Sequence, residues 1–185
     1  MTNVKGTALV GTVRYITEHF GPEGIRTVLE ELSAEDRALV ESGVLVSAWY
    51  PFSLLMQISR VAHKHFGAER PDIYRELGKA SAEYALTTIY KIFFKVGSPQ
   101  FIISRGSALF KTYYTTGELK AVQSEKGHAV IDFVGFEEPA PEFCERLEGW
   151  MQRTVELSGG KDLRIAHLQC VNRGDAVCRF EGYWS

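Results

Sequence analysis

The sequence of 185 residues lacks several features that would assign it to a large functional class. It has no block of like charges, because 21 basic and 23 acidic residues are spread along the chain and give a formal net charge of −2. A nucleic-acid partner requires a basic patch, so the composition argues against one. No apolar run approaches the roughly 18 residues of a membrane span. Neither a P-loop nor a dinucleotide-binding glycine motif is present.

The amino-terminal segment also lacks the pattern of a signal peptide. Arg14, Glu18 and His19 interrupt its apolar positions, and no small-residue cleavage site follows. We therefore expect a cytoplasmic protein. Thiols stay reduced in that compartment, so the three Cys are expected to be free or to bind a metal rather than to form disulfides.

What is present is the composition of one well-packed domain, with 45% hydrophobic and 24% charged residues. Residues 1–116 have apolar positions at helical spacing, including a long helix predicted over 71–96 and another over 98–116. Residues 117–185 are predicted to form two β-hairpins with a helix between them. This order predicts a single α+β domain over 1–185, in which the N-terminal helices pack on a small antiparallel sheet.

The three Cys occupy positions that the predicted hairpin and helix would bring together. Cys170 and Cys178 each lie four residues from Gly174, so they oppose each other in a hairpin centred on that turn. Cys144 lies on the predicted helix, on the side that should pack against the sheet. Three thiolates would make most of a tetrahedral zinc site. The alternative is that these are ordinary buried thiols without a metal, because Cys is among the most buried residue types.

The sequence leaves the fourth ligand of such a zinc site undecided. The candidates are His128, Glu125 and His167, and of these we predict His128. Strand alternation counts against His167, because a residue three positions before Cys170 should face the other side of the sheet.

The ending of the chain resembles the 4-vinyl reductase (V4R) domain. The resemblance rests on Cys170, the Gly174-Asp175 pair, Cys178 and Arg179, and Cys144 matches an upstream Cys of the zinc-binding members. Residues 49–52 and 82–90 are more similar still to an uncharacterised myxobacterial paralogous family. The resemblance implies a fold shared with haem nitric oxide sensors and with subunits of vesicle-tethering complexes. It also implies an apolar interior pocket and a homodimer.

From this resemblance we expect a non-catalytic sensor or adaptor that binds a small hydrophobic molecule, has a structural zinc site and signals through dimerisation or a partner. Its pocket is predicted from the aromatic residues of the helical part, namely Trp49, Tyr50, Phe52, Tyr84, Tyr90, Phe93, Phe110 and Tyr113. The alternatives are that these aromatics simply fill a core, or that the chain is an interaction module without a ligand.

Two further functions are disfavoured by the sequence. A haem-based gas sensor needs an axial ligand, but the predicted helix over 98–116 contains no His and the Tyr-x-Ser-x-Arg signature of haem-binding relatives is missing. Enzyme activity is not expected either, because no His is predicted to converge on the face that carries Cys170 and Cys178.

Overall fold

The computed structural model describes residues 1–89 and 98–185. Within these ranges the helices are α1 (Gly6–Glu30), α2 (Ala34–Glu41), α3 (Phe52–Phe66), α4 (Ile73–Tyr84), α5 (Pro99–Ser104), α6 (Gly106–Lys111) and α7 (Pro141–Leu157). The strands are β1 (Asn3–Lys5), β2 (Trp49–Pro51), β3 (Glu118–Glu125), β4 (His128–Val134), β5 (Arg164–Gln169) and β6 (Cys178–Tyr183). None of the helices in the two ranges is long and apolar enough to cross a membrane.

Local signals in the sequence explain several helix boundaries. The hydroxyl of Ser33 caps α2 by accepting a hydrogen bond from the N–H of Asp36 at 3.1 Å. Ser98 caps α5 in the same way. Gly21, with a φ of 71°, interrupts α1 immediately before Pro22. Glycine adopts this left-handed conformation without a steric cost, which explains the break at that position.

Two predicted helices differ from those observed. The helix predicted over 98–116 is two short helices, because Arg105 leaves the helical conformation just before Gly106, a residue with low helix propensity. The helix predicted over 71–96 begins at Ile73 and continues beyond Tyr84 as a π-helical turn, Ala85–Ile89. Its remaining predicted residues lie outside the described ranges.

The strands form two antiparallel sheets instead of the one predicted. β3, β4, β6 and β5 form a four-stranded sheet in that order, so the two predicted hairpins lie side by side. β1 and β2 form a separate pair in which Val4 opposes Tyr50. Each of these two strands has only three residues, too few for an alternating apolar pattern to reveal them. The α+β class is confirmed.

One close helix crossing joins the two halves of the molecule. A Cβ on Gly78 of α4 would lie 1.9 Å from the carbonyl oxygen of Arg146 on α7, and a Cβ on Gly149 would lie 1.9 Å from that of Arg75. Only glycine at both positions allows the two backbones to approach this closely. α7 also buries Phe143, so this helix is part of the core shared with the sheet.

Candidate functional site

The structure brings the three Cys sulfurs together under the β5–β6 hairpin. The Sγ atom of Cys144 lies 3.9 Å from that of Cys170 and 3.8 Å from that of Cys178, and the last two are 3.7 Å apart. Gly174, with a φ of 92°, completes the turn between the strands. The carboxylate of Asp175 holds the turn by accepting the N–H of Cys170 at 2.7 Å. All three thiols are buried and free of disulfides.

His167 joins this thiol cluster, and the expectation that it faces away is wrong. One of its ring nitrogens lies within 4.8 Å of all three sulfurs. The β5–β6 register shifts between His167 and Gln169, so a bulge interrupts the two-residue alternation on which the expectation depended. The ring stacks on Phe180, with centroids 4.3 Å apart.

His128 lies elsewhere on the sheet. Its Nε2 is 2.9 Å from a carboxylate oxygen of Glu181, and its ring stacks on Tyr183. The structure therefore does not bring the predicted fourth ligand to the sulfurs. The β4–β6 register explains this, because His128 pairs with Tyr183 at the far end of the ladder, whereas Cys178 pairs with Phe133 near the opposite end.

Burial and hydrogen bonds give the cluster uneven acidities. Burial raises the pKa of Cys144 above its ordinary value, and the neighbouring thiols raise it further. Burial also disfavours ionisation of Cys170, but hydrogen bonds from Asn172 and the two other thiols outweigh it and lower that pKa. For His167, burial and then the charge of Arg173 lower the pKa, which favours the neutral imidazole. Three sulfurs and a neutral ring nitrogen form a donor set close enough to hold one metal ion.

A buried carboxylate lies next to the ring of His167. Glu148 lies 3.6 Å from His167 Nδ1 and also pairs with Arg75. Burial raises the pKa of Glu148, and the Arg75 charge offsets part of that rise. The Nε2 atom of His167 is buried and makes no hydrogen bond to any described residue.

The predicted aromatic pocket is not assembled as one site. Phe52, Phe110 and Tyr113 are buried among other side chains of the core. Trp49 is 43% exposed, and the ammonium group of Lys5 lies 4.2 Å from its ring centroid. Tyr50 is buried, and its hydroxyl accepts the N–H of Leu45.

The other three predicted pocket residues do not alter this result. Tyr84 is half-buried, and Tyr90 and Phe93 lie outside the described residues. The predicted pocket residues that the structure describes therefore mainly build the core. Of these, Trp49 lines an open surface groove of about 570 Å³, but the expected enclosed aromatic pocket is not observed.

A different cavity lies between α5, α6, α7 and the four-stranded sheet. Its volume is about 50 Å³. None of the six predicted pocket residues that the structure describes lines it. Its walls are mainly aliphatic and come from both halves of the chain, and they include Ile102, Gly106, Leu119, Ile131, Trp150 and Met151. Such residues look like ordinary core positions in the sequence, so no local signal could have identified the cavity.

A second, smaller cavity of about 10 Å³ lies between α4, α6 and α7. Phe110, Tyr113, Tyr114 and Trp150 contribute to its walls, together with the buried guanidinium of Arg146. Burial raises the pKa of Tyr114 to about 12, although the positive charge of Arg146 acts in the opposite direction. The phenol is therefore neutral at physiological pH. Sequence reasoning did not single out Arg146, because nothing in the sequence shows that this Arg is buried.

Comparison with known proteins identifies the fold. Over 98% of the chain, the structure is similar to an H-NOX protein from S. oneidensis in its Fe(II)NO state, with a TM-score of 0.77, 14% identity and 99% of that chain covered. The Fe(II) unliganded H-NOX protein from K. algicida matches over 98% of this chain and 96% of its own, with a TM-score of 0.72 and 10% identity. An oxygen-binding H-NOX domain related to soluble guanylate cyclases, in its oxygen complex, matches over 98% of this chain and 95% of its own, with a TM-score of 0.67 and 12% identity. Neither the protein-family models nor the curated proteins give a match.

These comparisons correct several expectations. The chain has the H-NOX (haem nitric oxide/oxygen-binding) fold, and the assignment to the V4R family is wrong because the structural neighbours are H-NOX domains. The same finding overturns two predicted functions: a sensor or adaptor for a small hydrophobic molecule, and an interaction module without a ligand. The zinc cofactor is also overturned, because haem is the cofactor that these neighbours indicate.

The described residues do not fit haem at either cavity. Haem needs an axial ligand, usually His, Cys or Tyr, or Met together with His. Neither cavity is lined by His or Cys among the described residues, and α5 and α6 contain neither residue. The cavities are also far below the ~300 Å³ at which pockets for larger ligands begin. Tyr113 lines the cavity of about 10 Å³, and Tyr114 lines both this cavity and an open surface groove of about 570 Å³. No His or Cys is among the described residues of that groove, and burial raises the pKa of Tyr114 to about 12, which disfavours the phenolate that would bind iron.

Proposed function

We propose that this chain is a gas-sensing domain. The observation that carries the proposal is the similarity of fold over 98% of the chain to H-NOX domains, which include an NO-ligated and an oxygen-ligated form. The match covers 99% of the S. oneidensis chain, so the two chains have the same extent. We further propose that the domain is non-catalytic and acts as a single unit over residues 1–185.

The size of the larger cavity supports a ligand of a few atoms. A volume of about 50 Å³ exceeds the ~10–15 Å³ that one water molecule needs, but it excludes a phenol, a lipid or a tetrapyrrole. Its aliphatic walls suit an uncharged diatomic molecule better than water, because an apolar cavity gives water few hydrogen-bond partners. The partner in this proposal is therefore a small gas molecule.

The position of the cavity supports a sensory role. Ile102 and Gly106 belong to the helical part, whereas Ile131 and Phe180 belong to the four-stranded sheet. A ligand between the two parts stabilises whichever arrangement of helices and sheet fits it better, and this differential affinity is what a sensor requires. Because the described residues do not fit haem, the proposed role does not depend on that group. The predicted homodimer and the cytoplasmic location stay predictions.

Hydrogen exchange tests the proposal directly. The purified protein is equilibrated with argon, carbon monoxide or nitric oxide, with and without added haemin, and an absorption spectrum is recorded for each sample. We expect a gas to change the protection of amides in α5, α6 and β4, which line the cavity. In the haemin samples, a Soret band that shifts with the gas would also support gas sensing and would show that haem is the group that binds it.

A matched pair of variants links the response to the cavity. Ile102→Trp fills the cavity, because Ile102 is 5% exposed and lines it. Phe101→Trp adds a comparable ring at the neighbouring position, which is 44% exposed and lies outside the cavity. We expect Ile102→Trp to lose the response of the haemin-free protein and Phe101→Trp to keep it. The proposal is overturned if no gas alters the protein either with or without haemin.

A further inference from the structure

Arg146 is a buried cation held by hydroxyl groups from three different helices. Its side chain leaves α7, and the residue is 3% exposed. Nη1 donates to Ser59 Oγ of α3 at 3.0 Å, and Nη2 donates to Thr12 Oγ1 of α1 at 2.9 Å and to Ser81 Oγ of α4 at 3.2 Å. The guanidinium therefore lies at the meeting point of four helices.

No carboxylate neutralises this charge. Arg146 takes part in none of the ion pairs among the described residues, and residues 90–97 contain no Asp or Glu that could supply one. Burial lowers the pKa of Arg146 to about 10, so the side chain still carries its proton at physiological pH. An uncompensated buried charge is strongly unfavourable, and buried charges in proteins are normally paired.

The surrounding hydroxyls compensate the cation only with partial charges. Each one donates its own proton to a carbonyl oxygen of the preceding helical turn: Thr12 to Ala8 at 2.8 Å, Ser59 to Leu55 at 2.6 Å and Ser81 to Leu77 at 2.9 Å. Their lone pairs are thereby left for the guanidinium. A guanidinium has five N–H donors, and these hydroxyls accept from three of them. The Nε–H and one Nη1–H make no hydrogen bond to a described residue.

The smaller cavity adjoins this charge. It measures about 10 Å³, which is close to the space that one water-sized particle needs. Arg146 is the only charged residue among its described lining residues, and most of the others are aromatic or aliphatic. A cavity of this size is too small for the carboxylate of an organic metabolite, so a monatomic anion is the counter-ion that would fit best beside this unneutralised cation.

We propose that Arg146 and the adjoining cavity form a buried binding site for a halide-sized monovalent anion, with chloride as the physiological candidate. The anion neutralises the guanidinium and accepts hydrogen bonds from its remaining N–H groups. Because α1, α3, α4 and α7 all contribute to this Arg146 site, anion binding stabilises the packing of these helices. The site is separate from the gas cavity of the proposed function, so anion binding is expected whether or not the protein responds to a gas.

Thermal unfolding at constant ionic strength tests the site, with chloride replacing gluconate, an anion too large for the cavity. We expect the Tm of the wild type to rise by on the order of 5–10 °C when chloride reaches about 100 times its Kd. Arg146→Met, which keeps the apolar length but removes the charge, should lose this dependence. Arg14→Met is the matched control, because Arg14 is exposed on α1 and should keep the dependence. The proposal is refuted if the wild type does not distinguish chloride from gluconate, or if Arg146→Met responds like the wild type.

Bromide provides a second measurement that does not depend on the folding of the Arg146→Met variant. Crystals of the wild type soaked in bromide should show anomalous scattering in contact with the guanidinium of Arg146. If Arg146→Met does not fold, the bromide position in the wild-type crystals decides whether the anion site exists. Bromide at the guanidinium supports the site, and its absence from that position rules the site out.

Discussion

The crossing of α4 and α7 can be tested with a single added methyl group, Gly78→Ala. The new Cβ would lie 1.9 Å from the carbonyl oxygen of Arg146, 2.8 Å from its carbonyl carbon and 3.0 Å from its Cα. All three atoms belong to the backbone of α7, so no side chain can rotate away. Ordinary contact begins at 3.4 Å, and the two helices would therefore have to separate by roughly 1.5 Å.

The magnitude follows from two opposing effects. Alanine is favoured over glycine in a helix by about 1 kcal/mol. Overpacking of a tight core typically costs about 1–3 kcal/mol, and a contact between two backbones belongs at the upper end or beyond it. A shift of this size would also weaken the hydrogen bond between Arg146 and Ser81 at 3.2 Å. We therefore expect a net destabilisation of about 2 kcal/mol, which lowers the Tm by roughly 4–8 °C in a chain of this size.

Urea and thermal unfolding of Gly78→Ala measure this cost, and Gly106→Ala is the control. A Cβ on Gly106 would find its nearest atom 4.0 Å away, in Leu119, so this change should be neutral or slightly stabilising. Equal stability of Gly78→Ala and Gly106→Ala would show that the two backbones are not in this close contact.

Two further predictions concern the surroundings of the thiol cluster. Asp175→Ala removes the acceptor of the buried Cys170 N–H and should lower the free energy of unfolding by about 1–3 kcal/mol in urea, whereas an unchanged value would show that the turn holds without this bond. Burial raises the pKa of Glu148, so the protonated carboxyl is favoured in the folded state. This group therefore stabilises the fold at low pH. The stabilisation is lost as the pH rises from 4.5, the ordinary pKa of Glu, through the higher pKa of the folded state. Glu148→Gln should reduce the change in the free energy of unfolding across that pH range. An unaltered pH dependence would show that Glu148 is not the group responsible for it.

The candidate site shows where sequence reasoning stops. The positions of Cys144, Cys170 and Cys178 follow from local patterns: one helix face and one hairpin centred on Gly174. The position of His167 does not, because a single bulge in β5 reverses the side that alternation assigns to it. The aromatic residues of the helical part were misassigned to a pocket for a related reason. The sequence shows that they are apolar, but not whether they surround a space or fill it.

Sequence patterns account for the order of helices and hairpins, the helix caps at Ser33 and Ser98 and the break at Gly21. These features depend on a few neighbouring residues, so local conformational preferences are sufficient to produce them. The approach of α4 to α7 and the burial of Arg146 without a carboxylate follow only from the tertiary structure. These features bring together residues separated by 60 or more positions, as in the 65-residue separation of Arg146 and Ser81. Such contacts arise from the packing of the whole chain, which no local pattern records.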